Sequence, residues 1–300
     1  MAAMHQMIAR NRRSTWFLIF IFTVLIVLTG FVFGTVWGSP WVGLIIAGVI
    51  ALVMVSFSYY GGDSALLLAS RAKKIAKKDA PQLFNVVEEM SIAAGIPMPD
   101  VYIIEDTAPN AFATGRNPKH AKVAITRGLL TKLKRDELQG VMAHELSHIQ
   151  NRDILFAMMI GVLVGMIVLL CDAFMLSMWF GGGRRRRRGR GGGPEMIIMI
   201  AGILLAILAP ILARIIQFAV SRQREYLADA SAAKLTRYPE GLARALEKIN
   251  GNREVLEVAN RATQHLYIVN PIKAFEKRAQ SVFNTHPPIK ERINRLRAMQ

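Results

Sequence analysis

Two stretches of this chain, Trp16 to Trp37 and Trp41 to Tyr60, each run the length of a membrane span without a single charged residue. A helix needs about 20 apolar residues to cross the hydrocarbon layer, and both stretches supply them. Ile154 to Phe180 and Met196 to Val220 are long enough too, although they contain Asp172 and Arg214. All four tryptophans, Trp16, Trp37, Trp41 and Trp179, stand at the ends of these runs, where interfacial anchors belong. Apolar residues make up 52% of the chain, and their concentration in four runs, not an even spread, points to an integral membrane protein.

The first run is too long for the h-region of a secretory signal, and only Gly38, Ser39 and Pro40 separate it from the second. Residues 1–60 are therefore expected to form a membrane anchor of two transmembrane helices. Arg10, Arg12 and Arg13 precede this hairpin, and Arg71, Lys73, Lys74, Lys77 and Lys78 follow it. Basic flanks around an uncharged turn place both ends in the cytoplasm.

The third and fourth runs are expected to form a second hydrophobic hairpin, 154–220, inserted into the soluble part. Its loop, 181–193, holds Arg184 to Arg188 and Arg190 among glycines, a composition that cannot bury a core and is expected to be disordered. A spanning hairpin puts these six arginines outside, against the positive-inside tendency; a re-entrant one keeps them at the cytoplasmic anionic surface. Asp172 and Arg214 suit a shallow or protein-buried hairpin, and the sequence leaves both arrangements open. The net charge is +17, or +11 without those six arginines, which for a membrane protein reflects surfaces near anionic lipid. With no interleaved aromatics and no RNA-binding module, no specific nucleic-acid partner is expected. The lone Cys171 excludes an intrachain disulfide and, inside an apolar run, reads as packing.

The chemistry lies in His144-Glu145-Leu146-Ser147-His148. Imidazoles four residues apart share one helix face and can meet at one Zn²⁺, with Glu145 beside that face to take a proton from bound water. Leu138, Val141, Met142, Leu146 and Ile149 recur at helical intervals, and Asp136 and Glu137 put negative charge at the start of the helix. A catalytic zinc needs a third protein ligand and an open fourth position. Ser221 to Ala230, SRQREYLADA, offers Glu225 and Asp229, again four apart: one can ligate while the other receives the ring N–H of a ligand histidine. Arg222, Arg224 and Glu225 also fit a solvated charged face. Glu225 lies 77 residues after His148, and the inserted hairpin would return the chain to the site. The catalytic helix is expected to continue directly into the third run.

HELSH at 144–148, SRQREYLADA at 221–230, NAFATG at 110–115 and THPPIKERI at 285–293, in this order, resemble the HtpX-type membrane zinc metalloproteases, relatives of the CAAX prenyl endopeptidases. The resemblance runs from the first apolar segment almost to the C-terminus. It implies that His144, His148 and Glu225 are the zinc ligands, with one Zn²⁺ per chain, that Glu145 is the general base, and that Asp229 supports a ligand histidine. It also implies that Asn110, Ala111, Phe112, Ala113, Thr114 and Gly115 form a substrate-binding edge strand, and that His286 stabilises the oxyanion with the substrate-binding Arg292 nearby. A histidine before Pro287 and Pro288 equally marks a plain turn.

The expected fold is α+β and helix-rich: a zincin-like metalloprotease domain from 61–153 and 221–300, with the N-terminal transmembrane hairpin and the inserted hydrophobic hairpin. Within it, Pro81 to Ala94 reads as a helix, and Val101 to Ile104 and Val123 to Ile125 as strands around the NAFATG segment. The expected activity is zinc-dependent hydrolysis of peptide bonds in membrane-protein or other polypeptide substrates. The resemblance implies quality control of damaged or misfolded proteins in the bacterial cytoplasmic (inner) membrane, with the active site facing the cytoplasm and the lipid bilayer as partner. Two rivals remain at this point: a membrane-anchored RNA- or anionic-lipid-binding protein with an incidental zinc motif, and an inactive metal-binding scaffold. The intact Glu145 opposes the second. Neither oligomeric state nor cleavage sequence is encoded in any pattern of residues here.

Overall fold

In the computed structural model, residues 2–185, 193–251 and 287–299 are described. The chain divides into two units, Met1–Ser58 with Met159–Gln217, and Tyr59–Met158 with Phe218–Gln300.

The first unit is built from long apolar helices: α1 (Ala2–Trp37), most of α2 (Pro40–Ala69), and parts of α6 (Asp153–Arg185) and α7 (Gly193–Thr236). Each of the four carries a segment apolar and long enough to cross a membrane. Lipid offers no hydrophobic drive for helices to associate, so they pack through small residues. A Cβ on Gly43 would collide with Gly30 O and Gly34 Cα, so the backbones of α1 and α2 touch there. Phe33 stacks on Phe174 with ring centroids 3.9 Å apart, and Trp37 Nε1 donates to Ser177 Oγ at 2.9 Å. The faces left outside are apolar, Trp41, Leu52 and Ile45 among them.

Gly181–Arg185, expected within a disordered loop, continues α6, and Gly193 opens α7. Once a helix is established each further residue adds one backbone bond, which carries it into the glycines. The remainder of that loop, 186–192, lies outside the described residues.

The second unit has a four-stranded sheet, in the order β1 (Lys73–Lys74), β2 (Asp100–Ile104), β4 (Lys122–Thr126), β3 (Ala111–Thr114). β2 and β4 are parallel, in register from Asp100↔Lys122 to Ile104↔Thr126, and β3 runs antiparallel to β4 at the edge. The strands expected at 101–104 and 123–125 are β2 and β4. The two lysines of β1 are an addition; they pair with Ile103 and Tyr102 as a short charged edge, which discourages pairing with other chains.

Helix α3 (Pro81–Ala94) matches its sequence reading: Pro81 sits where its missing N–H costs nothing, and Gly95 (φ 66°) closes the far end by donating to Ile92 O. Leu83, Val86, Val87, Met90 and Ala94 form its buried face, shared with Val141 and Leu146 of α5 (Arg135–Gln150). After α4 (Arg127–Lys132), α5 starts with Glu137 accepting from Lys134 N–H at 2.8 Å and from Lys248 Nζ at 2.6 Å, which ties it to α8 (Pro239–Gly251). Leu296 of α9 (Ile289–Arg297) completes the core.

Contrary to the expectation of one continuous helix, α5 ends at Gln150 and α6 begins at Asp153. Arg152 between them has φ 60°, a left-handed conformation that breaks the run of helical bonds.

Candidate metal centre

Helix α5 presents His144 and His148 on one face, as their spacing of four requires, and α7 brings Glu225 against them. The two Nε2 atoms lie 3.2 Å apart; Glu225 Oε1 is 3.5 Å from His148 Nε2, and Oε2 is 3.8 Å from His144 Nε2. The nitrogen ligands of a tetrahedral zinc, at about 2.0–2.1 Å from the ion, stand about 3.3 Å from one another. The arrangement therefore has the spacing of a ligand set.

The far side of each ring is held as well. His144 Nδ1 lies 3.0 Å from Asp229 Oδ1, a carboxylate that favours the proton on Nδ1 and leaves Nε2 as the nitrogen for a metal. Asp229 is fixed by Arg292, whose Nε and Nη2 donate at 2.8 and 2.7 Å. Arg292 is fully buried; its Nη1 also reaches Glu225 Oε2 at 3.1 Å, and its Nη2 lies 3.4 Å from His144 Nε2.

His148 Nδ1 has its own carboxylate, Asp153 Oδ2 at 3.2 Å. Asp153 Oδ1 accepts in turn from Arg224 Nη1 at 3.0 Å, and the Arg224 guanidinium lies 3.4 Å above the Phe156 ring centroid. Sequence reasoning misses both residues. Arg224 fits a solvated face in the sequence, yet it is buried; Asp153 gives only the weak signal of an acid at a helix start, five residues after His148.

Charge favours a dication here. Glu145, Glu225, Asp229 and Asp153 are all buried around the two histidines, with Arg292 paired to Glu225 and Asp229 and Arg224 to Asp153. Burial works against a charged His148 ring, but Asp153 and Glu225 outweigh it and raise its pKa to about 10. For His144, burial prevails and its pKa falls.

Glu145 is buried beside the ligand face, and desolvation raises its pKa to about 7. Its carboxylate is hydrogen-bonded to the backbone of Ala113, on edge strand β3. The preceding Asn110 is clamped to β4: its N–H donates to Thr126 Oγ1 at 2.8 Å, and its carbonyl accepts from Thr126 N–H at 3.0 Å. Ala111, Phe112, Ala113 and Thr114 are buried, and Gly115 (φ 131°) turns the chain away. The structure thus brings His144, Glu145, His148, Glu225, Asp229 and Arg292 into one cluster beside the 110–115 strand. His286 lies outside the described residues.

A helix-borne pair of histidines, a carboxylate from a second helix and a buried glutamate beside an edge strand define a metallopeptidase. The chain belongs to peptidase family M48, which it matches over residues 77–300. It is 45% identical to a protease HtpX homolog of Dictyoglomus thermophilum over 98% of this chain and 94% of that protein. Similar relatives carry the same description: one from Thermoanaerobacter pseudethanolicus is 43% identical, covering 99% and 98%, and one from Listeria monocytogenes 44%, covering 98% and 99%. Among solved structures, S. mikatae Ste24p aligns with a TM-score of 0.50 at 20% identity, over 94% of this chain and 66% of that one, a likeness of fold. The chain is thus a metalloendopeptidase with four helices long and apolar enough to cross a membrane.

Proposed function

We propose that this chain is a zinc-dependent endopeptidase of the bacterial cytoplasmic membrane, with its active site on the cytoplasmic side, that cuts damaged or misfolded membrane proteins. The observation that carries the reading is the convergence of His144 Nε2, His148 Nε2 and Glu225 on one point, each histidine backed by its own carboxylate. Two imidazoles and a carboxylate are donors that suit zinc, and His144, His148 and Glu225 would hold it.

When bound, zinc supplies Lewis acidity, lowering the pKa of coordinated water and polarising a substrate carbonyl. Glu145 takes the proton from the attacking water and returns it to the leaving amine; a carboxyl tuned to about 7 is suited to both transfers near neutral pH. Strand β3, with Asn110 and Gly115 at its ends, aligns an extended substrate by backbone pairing. Arg292, fully buried and not open to substrate as the resemblance implied, holds Asp229 and Glu225 in place, and His286 takes the role of meeting negative charge on the carbonyl oxygen. In this reading 61–153 and 221–300 form the protease domain, 1–60 its anchor and 154–220 the inserted hairpin.

Comparing membrane proteomes of cells with the active enzyme and the Glu145→Gln form tests the assignment. Intact membrane-protein substrates should accumulate only with the variant; identical proteomes would contradict the quality-control role. Cysteines at Lys74 and Lys234, in a Cys171→Ala background, should resist an impermeant thiol reagent until cells are permeabilised. Labelling of either from outside would overturn the cytoplasmic site.

A further inference from the structure

Away from the metal centre, the second unit has a cavity of about 320 Å³ that shares no residue with it. One wall is the end of α2, with Tyr60, Asp63 and Ser64; the other is the loop after β3, with Arg116, Lys119 and His120. The carboxylates at its rim are already matched: Asp63 pairs with Lys122 at 2.8 Å and Asp100 with Lys74 at 2.8 Å. Among the described residues no carboxylate pairs with Arg116 or Lys119, so the cavity keeps two cations to offer.

The loop holds them in place. Gly115, at φ 131°, turns the chain so tightly that a Cβ would collide with His120 O, and Asn117 Oδ1 accepts from the amides of Lys119 and His120 at 3.0 and 3.2 Å. His120 Nδ1 lies 2.9 Å from the same oxygen, and His120 Nε2 lies 3.1 Å from Arg116 Nη2. With Nδ1–H donating to Asn117, Nε2 accepts from Arg116 and orients its guanidinium, which lies 5.7 Å from the Tyr60 ring centroid. A fixed guanidinium fork, a nearby ammonium and Ser64 make a recognition set for phosphate.

The height of the cavity identifies the source of that phosphate. Trp41 marks one end of the uncharged run of α2 and Tyr60 the other, the spacing of a span between two interfaces. At 30 residues, α2 is about 45 Å long, roughly 15 Å more than the hydrocarbon core, so its last turns stand at the level of the lipid headgroups. The geometry points to a binding site for the phosphate of an anionic phospholipid headgroup, held by Arg116 and Lys119 between the end of α2 and the loop after β3.

Native mass spectrometry of the full-length protein in uncharged detergent, titrated separately with dioleoyl phosphatidylglycerol and dioleoyl phosphatidylcholine, tests this. The first phosphatidylglycerol should bind at least about tenfold more tightly than phosphatidylcholine, and Arg116→Gln/Lys119→Gln should weaken it about 10- to 30-fold. Arg116→Lys, which keeps the charge and loses the fork, should fall between wild type and the double variant, and Lys78→Gln/Lys290→Gln, which removes two exposed charges elsewhere, should keep all of the affinity. Should the double variant misfold, Lys119→Gln alone decides, with an expected loss of about fivefold. Equal affinity for the two lipids, an unchanged double variant, an unchanged Lys119→Gln where that variant decides, or an equal loss at Lys78 and Lys290 would overturn the site. Displacement of the lipid by an equal concentration of inorganic phosphate would assign the cavity to free phosphate instead.

Discussion

His148 Nδ1 stands 3.2 Å from Asp153 Oδ2 although the two residues belong to different helices, joined by the left-handed turn at Arg152. Had α5 run on unbroken, residues five apart would have pointed to different sides of it. The break allows the first residue of α6 to turn back and receive the ring N–H of a ligand histidine. Asp153→Asn keeps the shape and removes the charge, so metal affinity should drop about 10- to 100-fold, as measured by competition with a chelator. An unchanged affinity would show that Asp153 does not support the ligand.

Glu145→Gln removes the base and no ligand. Cleavage of casein by the purified protein should fall about 100- to 10,000-fold while metal content stays near one ion per chain. Retained cleavage would take Glu145 out of the mechanism.

Arg292 is a fully buried cation between Asp229 and Glu225, so Arg292→Met leaves two buried carboxylates without their partner. The cost should be about 3–5 kcal/mol, read as a lower thermal midpoint of the metal-free protein. Adding Asp229→Asn to that variant should recover part of the loss, because it removes one of the stranded charges. A double variant no better than Arg292→Met would mean that the loss is one of packing.

Burial alone would raise the pKa of Asp229, but Arg292 and the His144 hydrogen bond outweigh it and hold the pKa below 3.8. A depressed carboxylate stabilises the fold above its unfolded pKa and loses that contribution as pH falls through the lower, folded value. The metal-free protein should therefore show a loss of thermal midpoint below about pH 4. Asp229→Asn should lack that component; an identical acid profile in the two proteins would assign the loss to other carboxylates.

Much of this was legible in the sequence because it rests on local periodicity. The spacing of His144 and His148 fixes a shared face, the apolar runs fix four long helices, and Pro81 with Gly95 brackets α3. Glu225 and Asp229 could be proposed as a pair, but which would ligate depended on how α7 meets α5, a tertiary fact. Asp153, Arg224 and the burial of Arg292 were invisible for the same reason: a charged residue in a sequence reads as solvated unless the partner that permits its burial is known. Strand β1, two lysines long, has no period to detect. Gly181–Arg185 shows the opposite error, where composition suggested disorder and the neighbouring helix prevailed.

The most direct test of the account is the zinc content of the purified full-length protein set against its activity. Wild type should hold one Zn²⁺ per chain; a chelator should remove ion and casein cleavage together, and one equivalent of Zn²⁺ should restore both. Glu225→Ala should lose most of the bound zinc and the cleavage. Full cleavage by zinc-free protein, or a Glu225→Ala variant that still holds one zinc and cleaves normally, would contradict a single zinc site made by His144, His148 and Glu225.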